Sequence, residues 1–233
     1  MSEALIIVRW LHVFFGTIWI GLLYSSNLRR GSTSTVSSGE QPQNESIAPV
    51  WLGGFPWSAG GTVIFGTAYF FAVWRRLSFS RFVLTSYGLT ILTASSLGLA
   101  MFANALAFWL IRKPLRLPAV EDRTATVSPE RVALIERRAT LVTRANVLLS
   151  VPMLFFMVAA SHHSLMGRAD IPHRIAWFAV VGALLFLVEV NAFVGLWGVC
   201  KRPLESVRGA VGAGFALWAS LFVMGKLLTL GLS

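Results

Sequence analysis

The chain has 233 residues, 55% hydrophobic and 13% charged, with a mean hydropathy of +0.68. Soluble domains carry about 25% charged residues to cover their surface, so this composition excludes most soluble folds and makes lipid the main solvent. The formal charge of +10 would suggest a nucleic-acid partner in a soluble protein. In a membrane protein Lys and Arg collect in cytoplasmic loops instead, and no nucleic acid is expected. Cys200 is the single cysteine, which excludes an intrachain disulfide and a Cys-type zinc site.

The apolar runs predict an all-α, polytopic helical bundle with six transmembrane spans in one membrane domain over 1–233. Span 1 covers about 4–26, with Arg9 and His12 as its ionisable groups, and Arg29-Arg30 stop it. A Ser/Thr/Gly/Gln-rich stretch over 28–50 reads as a flexible linker that cannot build a core. Span 2 follows over 57–74, with Pro56 at a helix start and Trp51, Phe55 and Trp57 as an interfacial aromatic belt. Span 3 runs over 82–111 and stops at Arg112-Lys113-Pro114. The polar segment 113–138 carries a helix-start signal at Ser128-Pro129-Glu130. Span 4 covers 139–161 and contains Pro152, tolerated in membrane helices. Spans 5 and 6 occupy 173–199 and 209–230.

Charge sets the expected orientation. Both termini share a side with Arg9, Arg75, Arg76, Arg81, Arg168, Arg174 and Lys226, seven of the 20 basic residues. The other 13, eight of them between Arg112 and Arg144, fall on the opposite side. The positive-inside rule then puts the termini in the periplasm and 113–138 in the cytoplasm of a bacterial inner membrane.

All four histidines map to the outer side. His12 lies near the start of span 1, His162 and His163 end span 4, and His173 opens span 5. Histidine is scarce in lipid-embedded helices and marks ligand, proton or cofactor sites there, although terminal histidines also sit at membrane interfaces without a role. His162 and His163 are about 100° apart on a helix, so one at most faces a shared site. His12 shares a helix face with Phe15, Gly16 and Trp19. Gly16 leaves room for a flat macrocycle or for a close neighbouring helix. Arg9 and Arg174 lie at the same level and suit haem propionates. A b-type haem needs imidazole ligands, apolar walls and such cations, and His12 with His162 or His163 is the candidate iron pair. The rival reading of His12 is a helix-packing residue bonded to a neighbouring backbone.

A second polar group lies toward the cytoplasmic side: Glu189 and Asn191 in span 5, Asn104 in span 3 and Asn146 in span 4. A Glu in lipid is costly and faces the bundle, paired or protonated. Glu189, Asn104 and Asn146 therefore read as a proton site or as a structural hydrogen-bond cluster, with Arg144 a candidate partner. Span 6 opens with Gly209, Ala210, Gly212, Ala213 and Gly214. Small residues let two helices approach closely, inside the bundle, toward a membrane partner or in a homo-oligomer.

Arg9-Trp10-Leu11-His12-Val13, followed by Ile18-Trp19-Ile20-Gly21, resembles the first span of the bacterial membrane-bound urate oxidase family. Val151 to Met157, closing at Ser161-His162, is similar to that family's late Pro-x-x-Phe-x-Met span. Ala103-Asn104 and Gly54-Phe55-Pro56-Trp57 add weaker likeness, and together these cover about half the chain. The resemblance implies a shortened membrane domain that lacks one central hairpin and the family's C-terminal cytochrome c domain. It implies an oxidoreductase-like membrane redox scaffold that binds haem b and exchanges electrons with a periplasmic cytochrome c. Only His12 and His162, or His163 by a one-residue shift, carry over, and no catalytic residue for urate oxidation is identified. The expectation from another class is a cofactor-free membrane subunit or assembly factor that binds a partner membrane protein.

Overall fold

The computed structural model describes residues 3–32, 49–77, 82–83, 85–115, 128–162 and 171–230. The centre of the 28–50 linker, residues 116–127 of the polar segment 113–138, Arg81, His163 and Arg168 lie outside the described residues. Within them the chain is helical, without a strand. Six long helices follow in order: α1 (Glu3–Ser32), α2 (Pro49–Leu77), α3 (Ser86–Arg112), α4 (Pro129–His162), α5 (Ile171–Phe193) and α6 (Val207–Leu230). A 3₁₀ turn over Lys113–Leu115 ends α3, and a 3₁₀ segment over Val199–Glu205 joins α5 to α6.

Local signals account for several helix ends. Thr85, in extended backbone, caps α3 by accepting from the Gly88 amide at 2.9 Å. Ser206 caps α6 in the same way through the Gly209 amide at 2.9 Å. The Ser128-Pro129-Glu130 signal coincides with the start of α4. After α5 the chain turns at Gly195 and Gly198, whose φ angles of 70° and 134° are strained for any residue with a Cβ. Pro56 lies inside α2 instead of at its start, because the helix begins a full two turns earlier at Pro49.

Five helices are long and apolar enough to cross a membrane: α1, α3, α4, α5 and α6. At 29 residues α2 is long enough, but its glycines, Ser58 and Thr62 dilute its hydropathy, so a count of six is not reached on composition. The outward faces carry large apolar side chains in bands: Ile6, Trp10 and Phe14 on α1, Ile175, Phe186 and Leu187 on α5, Phe215 and Leu227 on α6. Bands of this extent are untenable against water and ordinary against lipid.

Helix α4 is the axis of the bundle. Its inward residues, from Ala139 through Leu149 to Phe156, are buried among Leu97, Met101 and Phe108 of α3, Trp177 of α5 and Leu217 and Leu221 of α6. The α1–α2 pair joins this core through Trp19, Leu23 and Phe55, whose ring stands edge-on to Phe108 at 5.9 Å. Buried hydroxyls are satisfied within their own helices, as Thr90 and Thr93 show by donating one turn back to Ser86 and Leu89.

Candidate functional site

The antiparallel α1–α2 pair is held by side chains of α1 that sit over glycines of α2. A methyl group at Gly61 would lie 2.7 Å from the Phe15 ring, and one at Gly66 would lie 2.7 Å from Nδ1 of His12. The absence of Cβ atoms at these two positions is therefore what admits the two rings. His12 donates from Nδ1 to the Thr62 carbonyl at 2.8 Å, one turn from Gly66. Because a carbonyl can only accept, Nδ1 carries a proton, and in the neutral ring that leaves the lone pair on Nε2. Gly16 uses its open side for helix approach: a methyl there would stand 3.6 Å from the Thr62 Cγ2.

The other residues expected around His12 are placed unevenly. Arg9 is exposed one turn from His12. Arg174 is buried at 5% exposure, and its guanidinium donates to the carbonyl of Val83 just ahead of α3, which engages it in the fold. His162 closes α4. Tyr24 meets Ser150 at 3.0 Å and Thr143 donates to Asn27 at 3.4 Å, so α1 and α4 run antiparallel, and His12 lies on the half of α1 nearer the end of α4 that closes at His162. Among the described residues no group of three or more His, Cys, Asp or Glu side chains could hold a metal ion.

Of the polar residues expected together at the opposite end, Asn104 and Glu189 bond each other, whereas Asn146 takes a backbone partner. Asn104 donates its amide to Glu189 at 2.9 Å, and Asn146 donates to the Met101 carbonyl at 3.0 Å, one turn from Asn104. The side-chain carbonyls of both asparagines are buried and have no hydrogen-bond partner among the described residues. Arg144 is not the partner of Glu189. It donates to the Leu204 carbonyl at 3.0 Å and to the Glu205 carbonyl, bridging α4 to the 3₁₀ segment. Asn191 donates to the Cys200 carbonyl at 2.9 Å and ties α5 to the same segment.

The small residues of α6 are spent largely inside the molecule. Ala210 is fully buried, and a methyl at Gly214 would lie 2.6 Å from the Leu148 carbonyl of α4. Gly212 faces outward with nothing within 4 Å.

Sequence reasoning missed Thr62 and Gly66 as the partners of His12. The recurrence of glycine along α2 was the available signal. It also missed Arg137 and Lys201, which read as loop charges and stand instead against the bundle. No protein-family model matches the chain, and neither a curated protein nor a solved structure matches it.

Proposed function

We propose that this chain is a six-pass redox protein of a bacterial inner membrane, with periplasmic termini. In this reading it holds a b-type haem in the periplasmic leaflet and exchanges electrons with a periplasmic cytochrome c. The observation that carries the reading is the His12–Thr62 hydrogen bond. Haem-ligating imidazoles commonly donate their second ring nitrogen to a backbone carbonyl, which fixes the tautomer and aims the other nitrogen at the metal. The Thr62 carbonyl and Gly66 orient the His12 ring in this way, and its Nε2 would hold the iron. His162 or His163 would supply the second ligand from the end of α4. Arg9 is an exposed cation one turn away, suited to a propionate, and Arg174 donates to the Val83 carbonyl. A bound haem would supply a one-electron couple. The sixth crossing in this reading is α2, whose 29 residues exceed the length that a bilayer requires.

One observation favours a second reading, a cofactor-free membrane subunit that binds a partner protein. The His12 ring fills the notch over Gly66, as a residue that only locks two helices would. Absorption spectra of the purified chain, oxidised and dithionite-reduced, separate the two. The redox reading expects a Soret and an alpha band in the difference spectrum, lost in His12→Ala and kept in His173→Ala. A featureless spectrum from haem-replete cells overturns it in favour of the second reading.

A further inference from the structure

At the end of the bundle opposite His12, three cations converge on the 3₁₀ segment between α5 and α6. Arg137 and Arg144 are two turns apart on one face of α4, and both reach across to Val199–Glu205. Arg137 donates to the Glu205 carboxylate at 2.9 Å and to the Leu196 carbonyl at 3.3 Å, and it lies over the Trp197 ring at 4.4 Å. Arg144, 8% exposed, holds the Leu204 and Glu205 carbonyls. Lys201, 3% exposed, points inward from the 3₁₀ segment.

These bonds leave donors over. The Nε of Arg137, the Nε of Arg144 and the Nζ of Lys201 are all buried and make no hydrogen bond among the described residues. Among the described residues Glu205 is the carboxylate that faces Arg137 and Arg144, and its side chain is 44% exposed. Buried cations with unmet donors are expensive, and an anion meets both deficits at once. Arg137 shares its Nη2 between the Leu196 carbonyl and the Glu205 carboxylate, and Arg144 gives its Nη1 to two peptide carbonyls, so only one of these contacts brings negative charge.

We infer that Arg137, Arg144 and Lys201 form a binding site for a phosphate-type oxyanion at this end of the bundle. A phosphoryl group offers several acceptor oxygens and negative charge to donors that approach from α4 and from the 3₁₀ segment. Two sources share this chemistry, an anionic phospholipid headgroup and free phosphate. The rim favours the lipid: Trp197, Val199 and Val194 are 73%, 72% and 66% exposed beside the cations, an aromatic and aliphatic surface suited to the headgroup–acyl boundary. The site is independent of the haem reading, since it lies at the other end of the bundle.

The test uses the full chain purified in a neutral detergent. Thermal unfolding is followed with added phosphatidylglycerol, with phosphatidylcholine, with inorganic phosphate and with chloride at matched ionic strength. Native mass spectrometry counts the phospholipids retained. The expected result is stabilisation by phosphatidylglycerol over phosphatidylcholine, with one retained anionic lipid. Lys201→Met should weaken its apparent affinity by roughly tenfold or more. Stabilisation by inorganic phosphate beyond chloride, without lipid preference, would support the site and assign it to free phosphate. If neither anion exceeds its control, or if Lys201→Met responds as wild type does, the site does not exist. Should Lys201→Met not fold, Lys201→Gln and the lipid count on wild-type protein decide the question.

Discussion

The side-chain amide of Asn104 on α3 donates to the carboxyl of Glu189 on α5 across 2.9 Å, a second tie between two helices that the Trp177 indole joins by donating to Thr93 at 2.9 Å. Glu189→Gln keeps an acceptor for this bond and should leave folding and activity near wild type. Glu189→Leu strands the Asn104 amide and should destabilise by about 1–2 kcal/mol, the range for interhelical hydrogen bonds in membranes. Unfolding in detergent measures both. Loss of electron transfer in a folded, haem-loaded Glu189→Gln protein would instead make Glu189 a proton-handling residue.

The His12 notch predicts a steric result. Gly66→Ala would drive a methyl to 2.7 Å from the imidazole, and displacing the ring should cost about 1–3 kcal/mol. His12→Phe keeps a ring but loses the bond to Thr62, and should cost about 0.5–1.5 kcal/mol. Thermal unfolding of the two variants, singly and together, reads the coupling. Additive effects would show that ring and glycine do not meet.

Two glycines of α6 should behave oppositely. Gly214→Ala meets the Leu148 backbone carbonyl at 2.6 Å, which cannot rotate away, and should destabilise by about 1–3 kcal/mol. Gly212→Ala meets nothing within 4 Å and should gain about 0.5–1 kcal/mol from helix propensity. If instead Gly212→Ala changes oligomeric size on a sizing column, the outward face of α6 is an interface.

Lys201 gives a pH dependence with a definite sign. Burial first, and then the neighbouring Arg137, lower its pKa from the ordinary lysine value, against the opposing effect of Cys200. Where the unfolded chain binds a proton more readily than the folded one, folding loses stability as pH falls below the unfolded pKa and regains it as pH rises through that value. In anion-free detergent at pH 7, Lys201→Met should therefore melt above wild type, and the gap should close as pH approaches about 10.4. Because the exposed Cys200 acts on Lys201, the comparison belongs in a Cys200→Ser background. A gap that does not change with pH would show that Lys201 is not a buried cation.

The proposed orientation predicts opposite signals from two reporter fusions. One placed after Ser233 should report the periplasm, and one within 115–138 should report the cytoplasm. Identical signals would overturn the even number of crossings, and reversed signals the direction.

Composition and periodicity determined that the chain is a helical bundle with helices that suit a bilayer, because apolar runs near twenty residues have no other economical arrangement. The start of α4 was equally legible, since Ser128-Pro129-Glu130 is a local signal that needs no neighbour. The extent of α2 was not: Pro56 looked like a beginning, yet a proline in the first turns of a longer helix leaves the same trace. Side-chain partners lay beyond the sequence altogether. His12 has the same identity and spacing whether it faces lipid, a cofactor or Gly66, and only the crossing of α1 on α2 assigns the Thr62 carbonyl to it. Arg144 stood as near to Glu189 in the sequence map as any cation, but the 3₁₀ segment brings the Leu204 and Glu205 carbonyls to it first. That segment, turned by Gly195 and Gly198, is also what places Lys201 beside Arg137. Long-range pairing of this kind depends on where a chain folds back, and hydropathy carries no information about which carbonyl a buried cation will meet.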